Sequence, residues 1–385
     1  MCFTRKAFIL EGGEKYLFEL FKRVSKTYNV IIYFESISPA WRKLYEDIGI
    51  EIRHFWKPKR FYWLLLPFTL LVNAVMLKQH IHKTDIIYAT NFPVNLLAML
   101  LSKRTICHCF EPLAIFYDPI RINSLPLFSR ICVSVAKFLY ATADHYAINH
   151  STVLTTLNVS VEKHIIHTYG RRPDTYIPNG VDASVFKPKK TKRKSQICIM
   201  GHSTDYTVFK GTSNLLAALN IVKNKTNNFQ VLISESITDA SVRRRYLQYI
   251  KQHNLRKYIR FIGNLTEKQL VRFYQSIDVF CYAGSPDCAG GSTASLSVVE
   301  AQACGTPVIR STGNDDEIIH NKTGYYVNPN DPVAFAHKII KFIKLSKASK
   351  SRLRHTSVQH VKKHFQWSVS SSRLVHIVKS LELTR

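Results

Sequence analysis

Short apolar runs alternate along the chain with longer segments whose apolar residues recur every three or four positions. Residues 28–34, 85–89 and 104–107 are short and rich in β-branched and aromatic side chains, which is typical of strands. Residues 16–26 and 94–102, which accompany these runs, have the length of helices. Alternation of strands and helices predicts a parallel sheet that is covered by helices on both faces.

The same alternation starts again in the second half of the chain, after a charged stretch at residues 187–195. That stretch contains Pro188 and has no apolar periodicity, so we interpret it as a linker, with a polyanion-binding run as the alternative. Residues 212–223 beyond it have leucine and valine at helical spacing. The predicted strands of this half are residues 196–200, 229–233, 258–262, 279–282, 307–310 and 324–327.

The two halves predict an α/β protein with two Rossmann-like domains, residues 1–188 and residues 189–365. Two such domains that face each other leave a cleft, and open parallel sheets bind ligands beyond the carboxyl ends of their strands. We therefore expect the chemistry of the protein to lie in the loops that follow the strands.

The chain is strongly basic, because its 385 residues include 54 Lys and Arg against 26 Asp and Glu, for a net charge of +28. A surface of this charge attracts phosphate, as in anionic lipids, nucleic acids or pyrophosphate-linked substrates, and solvated surface charge is the alternative. The sequence contains no RRM, KH or zinc-finger signature, which argues against nucleic acid as the partner.

The eight cysteines show no repeated disulfide spacing, so they predict a protein of the reducing cytoplasm. Cys107 and Cys109 flank His108, but alternate residues of a strand point to opposite faces and no second pair of metal ligands is near. We therefore predict no metal site in this segment.

The longest apolar run, residues 61–77, directly follows the basic cluster of residues 57–60. Its length suits a buried helix, a helix that lies on a membrane surface or a short membrane span, and the sequence leaves these three open. Because the basic cluster suits anionic lipid, we hypothesise a peripheral position at the inner face of the membrane, with a lipid-linked acceptor bound to the first domain.

Two glycine-containing turns have the chemistry of a phosphate site. Gly12 and Gly13 follow the first predicted strand, residues 7–10, and would let the backbone approach a ligand closely. Lys210 precedes Gly211 at the start of the first helix of the second half, where a cation beside free backbone amides suits a diphosphate. The alternatives are a plain turn for the glycines and an ordinary exposed side chain for the lysine.

Residues 284–307 contain the densest group of candidate ligand-binding residues. Small residues and hydroxyls lead there directly into a helix, so that backbone amides at the helix start can bind an anion. Glu300 falls on the first turns of this helix, where its carboxylate can accept two hydrogen bonds from a ribose diol, with a solvated carboxylate as the alternative. The candidate donor-binding residues of this region are Gly290, Gly291, Ser292, Thr293, Ala294, Ser295, Leu296 and Glu300.

Residues 297–309 resemble the donor-site helix of the retaining family 4 glycosyltransferases. The resemblance implies the GT-B fold, in which two Rossmann-like domains face each other and a C-terminal helix, here residues 366–385, returns to the first domain. It also implies transfer of a sugar from a GDP- or UDP-linked donor to a glycan or lipid-linked acceptor, with retention of configuration. Other segments that match, in the order of the family, are residues 11–14, 143–151 as a strand and turn, 177–186, 210–211, 278–285, 317–325 and Trp367.

The resemblance also implies roles for single residues. Glu300 would hold the ribose hydroxyls, and Lys210 would neutralise the diphosphate. Gly12 and Gly13 would approach the same diphosphate, and His108 stands where the family often has a histidine that faces the donor sugar, with a core histidine as the alternative. No DxD-like pair stands in the donor loop, so we expect no metal and no cofactor besides the nucleotide-sugar co-substrate.

Two positions depart from the pattern of the family. Ser292 stands where a second glutamate is usual, and His202 takes the place of an arginine, which makes His202 a further candidate donor-binding residue. The alternative to an active enzyme is therefore a catalytically reduced, glycosyltransferase-like binding protein. Sugar transfer to DNA bases is left open by the sequence as well.

Overall fold

A computed structural model shows two compact units, both of them α/β. Unit 1 consists of Met1–Pro178 and Trp367–Arg385, and unit 2 consists of Asn179–Gln366. The structure describes residues 1–7, 12–82, 84–189, 197–206, 210–284, 295–311, 316–328 and 330–383.

Among its described residues, unit 1 contains a seven-stranded sheet in which neighbouring strands run parallel. Its strands are β1 Cys2–Ala7, β2 Ile31–Ile37, β3 Glu51–His54, β4 Ile87–Ala89, β5 Thr105–His108, β6 Val153–Thr156 and β7 Thr175–Tyr176. Their order in the sheet is β3-β2-β1-β4-β5-β6-β7. The chain order therefore reverses between β1 and β4, which is where ligands bind in doubly wound sheets.

Helices connect the strands of unit 1 and cover both faces of its sheet. They are α1 Gly12–Val24, α2 Pro39–Glu46, α3 Leu66–Lys78, α4 Val94–Leu101, α5 Ala114–Tyr117, α6 Pro119–Ser124, α7 Leu127–His150 and α8 Val159–Tyr169. Because crossovers between parallel strands are right-handed, α3, α4 and α7 lie on one face and α1 lies on the other.

Unit 2 repeats this architecture with a six-stranded parallel sheet among its described residues. Its strands, in the sheet order β10-β9-β8-β11-β12-β13, are β8 Cys198–Thr204, β9 Phe229–Glu235, β10 Ile259–Phe261, β11 Val279–Tyr282, β12 Val308–Ser311 and β13 Gly324–Val327. Its helices are α9 Thr212–Lys223, α10 Ala240–Gln252, α11 Glu267–Ser276, α12 Leu296–Ala303, α13 Pro332–Ile343 and α14 Lys347–His364.

The apolar stripe of α9 explains why this helix packs on the second sheet. Leu215, Leu216, Leu219 and Val222 are all buried, and they join the inward side chains of β8, β9 and β11 in one core. A second core on the opposite face contains α12 and α11. The prediction of two Rossmann-like sheets, each covered on both faces, is therefore confirmed.

The last helix, α15 Trp367–Leu383, belongs to unit 1. Trp367 is buried there, with its ring 5.7 Å from that of Tyr16 on α1. The Ser370 hydroxyl donates to the Pro178 carbonyl at 2.7 Å, which ties the helix to the end of the first segment of the unit. The predicted return of the C-terminal helix to the first domain is confirmed.

Some sequence-based predictions differ from the structure in their bounds or in the type of element. Unit 1 ends at Pro178 rather than Pro188, because Val181 and Phe186 pack in the core of unit 2. The strand predicted within residues 143–151 is wrong, because this segment is the end of α7, where inward residues recur at helical spacing. The first strand is Cys2–Ala7 rather than residues 7–10, and residues 8–10 lie outside the described ones.

Residues 61–77 were predicted as one apolar segment, and the structure divides them into turns followed by α3. Across the described ranges, no helix has both the length and the apolar character that crossing a bilayer requires.

Candidate functional site

The switch point of the second sheet lies between β8 and β11, and the turn before α9 packs directly on it. Gly211, the residue before α9, has φ of +65°, and a Cβ built there would lie 1.6 Å from the carbonyl oxygen of Ala283. Ala283 follows β11 directly. Only glycine fits this approach, so the Lys210–Gly211 turn is held at the edge where open α/β sheets bind ligands.

Lys210 places a cation at this edge. Its side chain is 35% exposed, and its Nζ lies 3.9 Å from the carboxylate of Asp205. The amides at the start of α9 form the positive end of the helix dipole, so the lysine and the helix attract the same anion. A diphosphate, with more than one negative charge, matches two adjacent positive groups.

His202 lies beneath this turn and is fully buried. Its Nδ1 is 2.9 Å from the carbonyl oxygen of Cys281, and its Nε2 is 3.0 Å from the hydroxyl of Thr212, the first residue of α9. Burial lowers the pKa of His202 to about 4, with the charge of Lys210 acting in the same direction, so the ring is neutral. Because both ring nitrogens have partners, His202 joins β8, β11 and α9 and acts by positioning Thr212.

The N-terminus of α12 is the second element at this edge. Ser295 precedes the helix, and its hydroxyl lies 2.6 Å from that of Ser297. Leu296 is the first helical residue, and Glu300 lies one turn later, 4% exposed, where it accepts a hydrogen bond from the Tyr274 hydroxyl at 3.4 Å. Glu300 therefore has a fixed position on the first turns of α12, as predicted from the sequence.

A buried ion pair lies beside the start of α12. The Arg310 guanidinium, at the end of β12, pairs with Glu317, and both side chains are almost fully buried. Glu317 also accepts a hydrogen bond from the Ser295 amide at 3.2 Å. Arg310 lies over the ring of Tyr282 at 5.3 Å. The carboxylate of Glu317 therefore links the end of β12 to the first turn of α12.

Sequence reasoning found only part of this arrangement. It placed Glu317 in a matching segment without a role, and it missed Arg310, although an arginine inside an apolar strand of residues 307–310 is an unusual position. Five predicted donor-binding residues lie outside the described residues, so the proposed cradle of amides stays a prediction. They are Gly290, Gly291, Ser292, Thr293 and Ala294.

In unit 1, Gly12 and Gly13 form the first turn of α1, after the switch-point strand β1. Both are exposed, and no described atom lies within 4 Å of a Cβ built at Gly13. The local packing of the described residues therefore does not demand glycine there, and the space beside this helix start is open. The contact of both glycines with a donor stays a prediction.

His108 ends β5 and is fully buried in the core of unit 1. Its ring stacks on that of Tyr16 at 5.1 Å, and its Nδ1 lies 2.8 Å from the hydroxyl of Thr155. Its Nε2 has no hydrogen-bond partner among the described residues, and burial lowers its pKa to about 3. The ring is therefore neutral, with one nitrogen available, and its contact with a donor sugar stays a prediction.

The sequence model of the family Glycosyl transferases group 1 matches residues 182–357. The matched range contains the Lys210–Gly211 turn, Glu300 and the Arg310–Glu317 pair. Residues 182–357 are therefore similar in sequence to the group 1 glycosyltransferases. The recognition of a glycosyltransferase from the residues around α12 is therefore confirmed.

Two curated proteins to which this chain is similar are bacterial mannosyltransferases. The GDP-mannose-dependent monoacylated alpha-(1-6)-phosphatidylinositol monomannoside mannosyltransferase of Corynebacterium glutamicum is 25% identical over 242 residues, or 59% of this chain and 62% of the relative. The phosphatidyl-myo-inositol mannosyltransferase of Mycobacterium leprae is 25% identical over 174 residues, or 45% and 43% of the two chains. The chain thus spans about three fifths and two fifths of the lengths of these relatives.

Solved glycosyltransferase structures share the fold over nearly the whole chain. A glycosyltransferase from Rickettsia africae has a TM-score of 0.76 at 18% identity and covers 100% of this chain and 99% of its own. Anabaena HepE in complex with UDP has a TM-score of 0.75 at 15% identity, with 98% and 99% covered. The predicted GT-B fold is therefore confirmed.

Proposed function

We propose that this chain is a retaining glycosyltransferase that moves a sugar from a GDP- or UDP-linked donor to a glycan or lipid-linked acceptor. The observation that carries the proposal is the Lys210–Gly211 turn, which lies against the end of β11 at the switch point of the group 1 domain. A cation and a helix N-terminus at this edge are suited to the diphosphate of an activated sugar.

The proposed chemistry is mainly electrostatic. Sugar transfer requires stabilisation of a departing nucleoside diphosphate, whose negative charge grows in the transition state. Lys210 and the amides at the start of α12 would stabilise that charge without a metal ion, because they are held in place before the reaction. Glu300 would accept hydrogen bonds from the ribose, and His202 would fix the start of α9.

The relatives support the choice of donor and acceptor. One of them is named as dependent on GDP-mannose, both are named for phosphatidylinositol-based acceptors, and HepE structures contain UDP and UDP-glucose. We therefore propose a lipid-linked acceptor and a cytoplasmic protein at the inner face of the membrane, with the first domain as the acceptor site.

A screen of nucleotide sugars, read by mass spectrometry with and without EDTA, tests the proposal. We expect hydrolysis or transfer with one GDP- or UDP-sugar, unchanged by EDTA, and a product whose anomeric configuration by NMR is that of the donor. Lys210→Ala should lower kcat by roughly 100-fold or more, and Glu300→Ala should weaken nucleotide binding. Lys225→Ala, an exposed lysine just beyond the other end of α9, is the matched control and should behave as wild type.

Ser292, which replaces the usual glutamate, favours a second candidate function, a binding protein with reduced catalysis. Calorimetry with GDP and UDP separates the two. Nucleotide binding without turnover of any donor would favour the binding protein, and restored turnover in Ser292→Glu would show that the missing carboxylate is the cause. A protein that binds neither nucleotide would contradict both functions.

A further inference from the structure

Helix α3 of unit 1 buries Leu66 and Leu77 but also exposes a row of large apolar side chains. It buries Thr69 and Asn73, and the Asn73 amide donates hydrogen bonds inside the unit. The same helix exposes Phe68, Leu71 and Val75, each with more than half of its surface accessible. A helix on the surface of a soluble domain normally turns its apolar residues inward, so this exposed stripe calls for a partner.

The exposed stripe has helical spacing. Phe61, Leu64, Phe68, Leu71 and Val75 follow one another at steps of three and four residues, from the turn before α3 to its last turns. Residues at such spacing lie on one side of a helix. Phe68, Leu71 and Val75 therefore lie on one side of α3, and Phe61 and Leu64 are exposed apolar residues of the segment that leads into the helix.

Helix α7 carries a second exposed stripe of the same kind. Phe128, Ile131, Val135 and Phe138 recur at steps of three and four, and Phe128 and Phe138 are 77% and 86% exposed. Among the described residues in the first half of α7, residues 127–138, only Ala136 is buried. The sequence pattern left residues 61–77 open between a buried helix, a membrane-surface helix and a short span, and it did not indicate the α7 stripe.

The two stripes belong to one face of unit 1. Both helices pack against α4, on the same side of the sheet. The Tyr140 hydroxyl of α7 donates to the carbonyl of Trp63, in the turn before α3, at 2.5 Å. We name the two stripes together the α3–α7 surface.

The charged residues within the two segments that carry the stripes are all basic. Residues 52–84 and 119–143, which contain the two stripes, include no Asp or Glu. Lys57, Lys59 and Arg60 precede the first stripe, and Arg130 and Lys137 lie within the second helix (both stretches also contain other basic residues). A second copy of the chain would bring like charges together on this surface, whereas an anionic lipid surface would meet them with opposite charge.

We propose that the α3–α7 surface docks unit 1 on an anionic membrane. The exposed side chains of both stripes enter the boundary of headgroups and acyl chains, and the surrounding lysines and arginines contact lipid phosphates. The docking is a property of unit 1 alone and does not depend on the sugar transfer proposed for the chain.

Sedimentation of the full chain with vesicles tests this docking. We expect binding to vesicles of phosphatidylcholine and phosphatidylglycerol at low salt, weaker binding at high salt, and little binding to phosphatidylcholine alone. Phe128→Ser with Phe138→Ser should weaken binding at least ~10-fold, because both side chains are exposed and their loss leaves the core intact. Ile237→Ser with Val333→Ser, an apolar pair in unit 2 with 55% and 50% of its surface exposed, is the control and should bind as wild type.

Tryptophan fluorescence supplies an independent measurement. Trp56 and Trp63 lie next to the α3–α7 surface, while Trp41 and Trp367, the other two tryptophans of the chain, are buried. Lipids with brominated acyl chains should therefore quench the emission of the bound protein, and replacement of Trp56 and Trp63 by Phe should remove that quenching.

Three results would overturn the docking. The first is absence of binding to anionic vesicles at low salt. The second is unchanged vesicle binding of the Phe128→Ser, Phe138→Ser variant, with its fold verified by circular dichroism. The third is a wild-type protein that is a dimer without lipid in sedimentation velocity, while the variant is a monomer. The last result would assign the surface to self-association. Failure of nucleotide binding with intact vesicle binding would instead contradict only the proposed sugar transfer.

Discussion

At the scale of single residues, Gly211 shows how one backbone position shapes the candidate site. Its φ of +65° is left-handed, and its hydrogen faces the carbonyl of Ala283 at a distance that leaves no room for a methyl group. The turn and the end of β11 can therefore approach only through glycine. The close approach places Lys210 at the switch point, so the local geometry of the backbone determines where the charge lies.

We expect Gly211→Ala to destabilise unit 2 by more than about 2 kcal/mol, because the left-handed φ and the clash with Ala283 add together. Gly263→Ala is a matched control in the same unit, with φ of +71° and no described atom within 4 Å of the added methyl group. It should cost only about 1 kcal/mol, from the backbone alone. Urea unfolding measures the free energy of unfolding of both variants. Equal losses of stability would show that the close approach to Ala283 is unimportant.

His202 predicts a pH dependence of the stability of unit 2. Burial lowers its pKa to about 4, while an unfolded histidine titrates near ~6.5. Between these values the unfolded chain binds a proton that the folded chain does not, so stability falls as the pH falls through this window. The histidine contributes roughly 3 kcal/mol at most to this decrease.

We expect His202→Gln to flatten the loss of stability between about pH 7 and about pH 5. Glutamine can still donate to Cys281 and accept from Thr212, but it does not titrate. Urea unfolding at the two pH values measures the change, with His337→Gln, an exposed histidine of the same unit, as the control. A pH dependence identical to wild type would contradict a buried neutral His202.

At the scale of elements, α12 is positioned by residues that follow it in the chain. Its first turn is tied to Glu317, which pairs with Arg310 at the end of β12, so the helix and the sheet edge form one element. Both charges are out of water, and a buried charge is tolerated only while its partner is present. The position of Glu300, one turn along α12, therefore depends on this pair.

Removal of one charge of the Arg310–Glu317 pair should lower the stability of unit 2 more than removal of both charges. We expect Glu317→Gln to destabilise unit 2 by about 3 kcal/mol or more, because it removes the carboxylate that pairs with the buried Arg310. Arg310→Met combined with Glu317→Gln should recover most of that loss. A double-mutant cycle by urea unfolding measures the coupling, and additive effects of the two changes would contradict it.

The elements of unit 2 were predicted more closely than those of unit 1, for a physical reason. The strands β11 and β13 and the helix α9 have the predicted bounds, because their apolar residues face a core and so carry the period of the element. In α7 and α3 the apolar residues face outward instead, and a periodicity without a buried partner does not reveal which face packs. The wrong strand within residues 143–151 has another origin, because it was taken from the resemblance to the glycosyltransferase family.

The candidate site was predictable to the extent that it depends on local chemistry. Lys210, Gly211 and Glu300 were found because a cation, a glycine and a carboxylate at helix starts suit a nucleotide. The contact of His202 with Cys281 and that of Glu317 with Ser295 were not, because they join segments that are distant in sequence. A side chain that positions another residue leaves no local pattern.

At the scale of the whole molecule, the chain leaves unit 1 at Pro178 and returns to it at Trp367. The helix α15 completes unit 1, because Trp367, Leu374 and Ile377 are buried and Arg373 donates to the Tyr176 carbonyl at 3.0 Å. The first unit can therefore finish folding only after the second has been synthesised. Damage to α15 should consequently affect unit 1 rather than the unit that precedes it in the chain.

We expect Trp367→Ala to destabilise unit 1 by about 3–5 kcal/mol, since it removes a fully buried ring that contacts Tyr16. Nucleotide binding by calorimetry, which depends on unit 2, should survive, and limited proteolysis should cut within unit 1 first. Leu383→Ala, 84% exposed on the same helix, should change the stability by less than about 0.5 kcal/mol. If Trp367→Ala instead abolished the folding of both units together, the two units would form one cooperative system, and the division of the chain at Pro178 would describe only its contacts and not its stability.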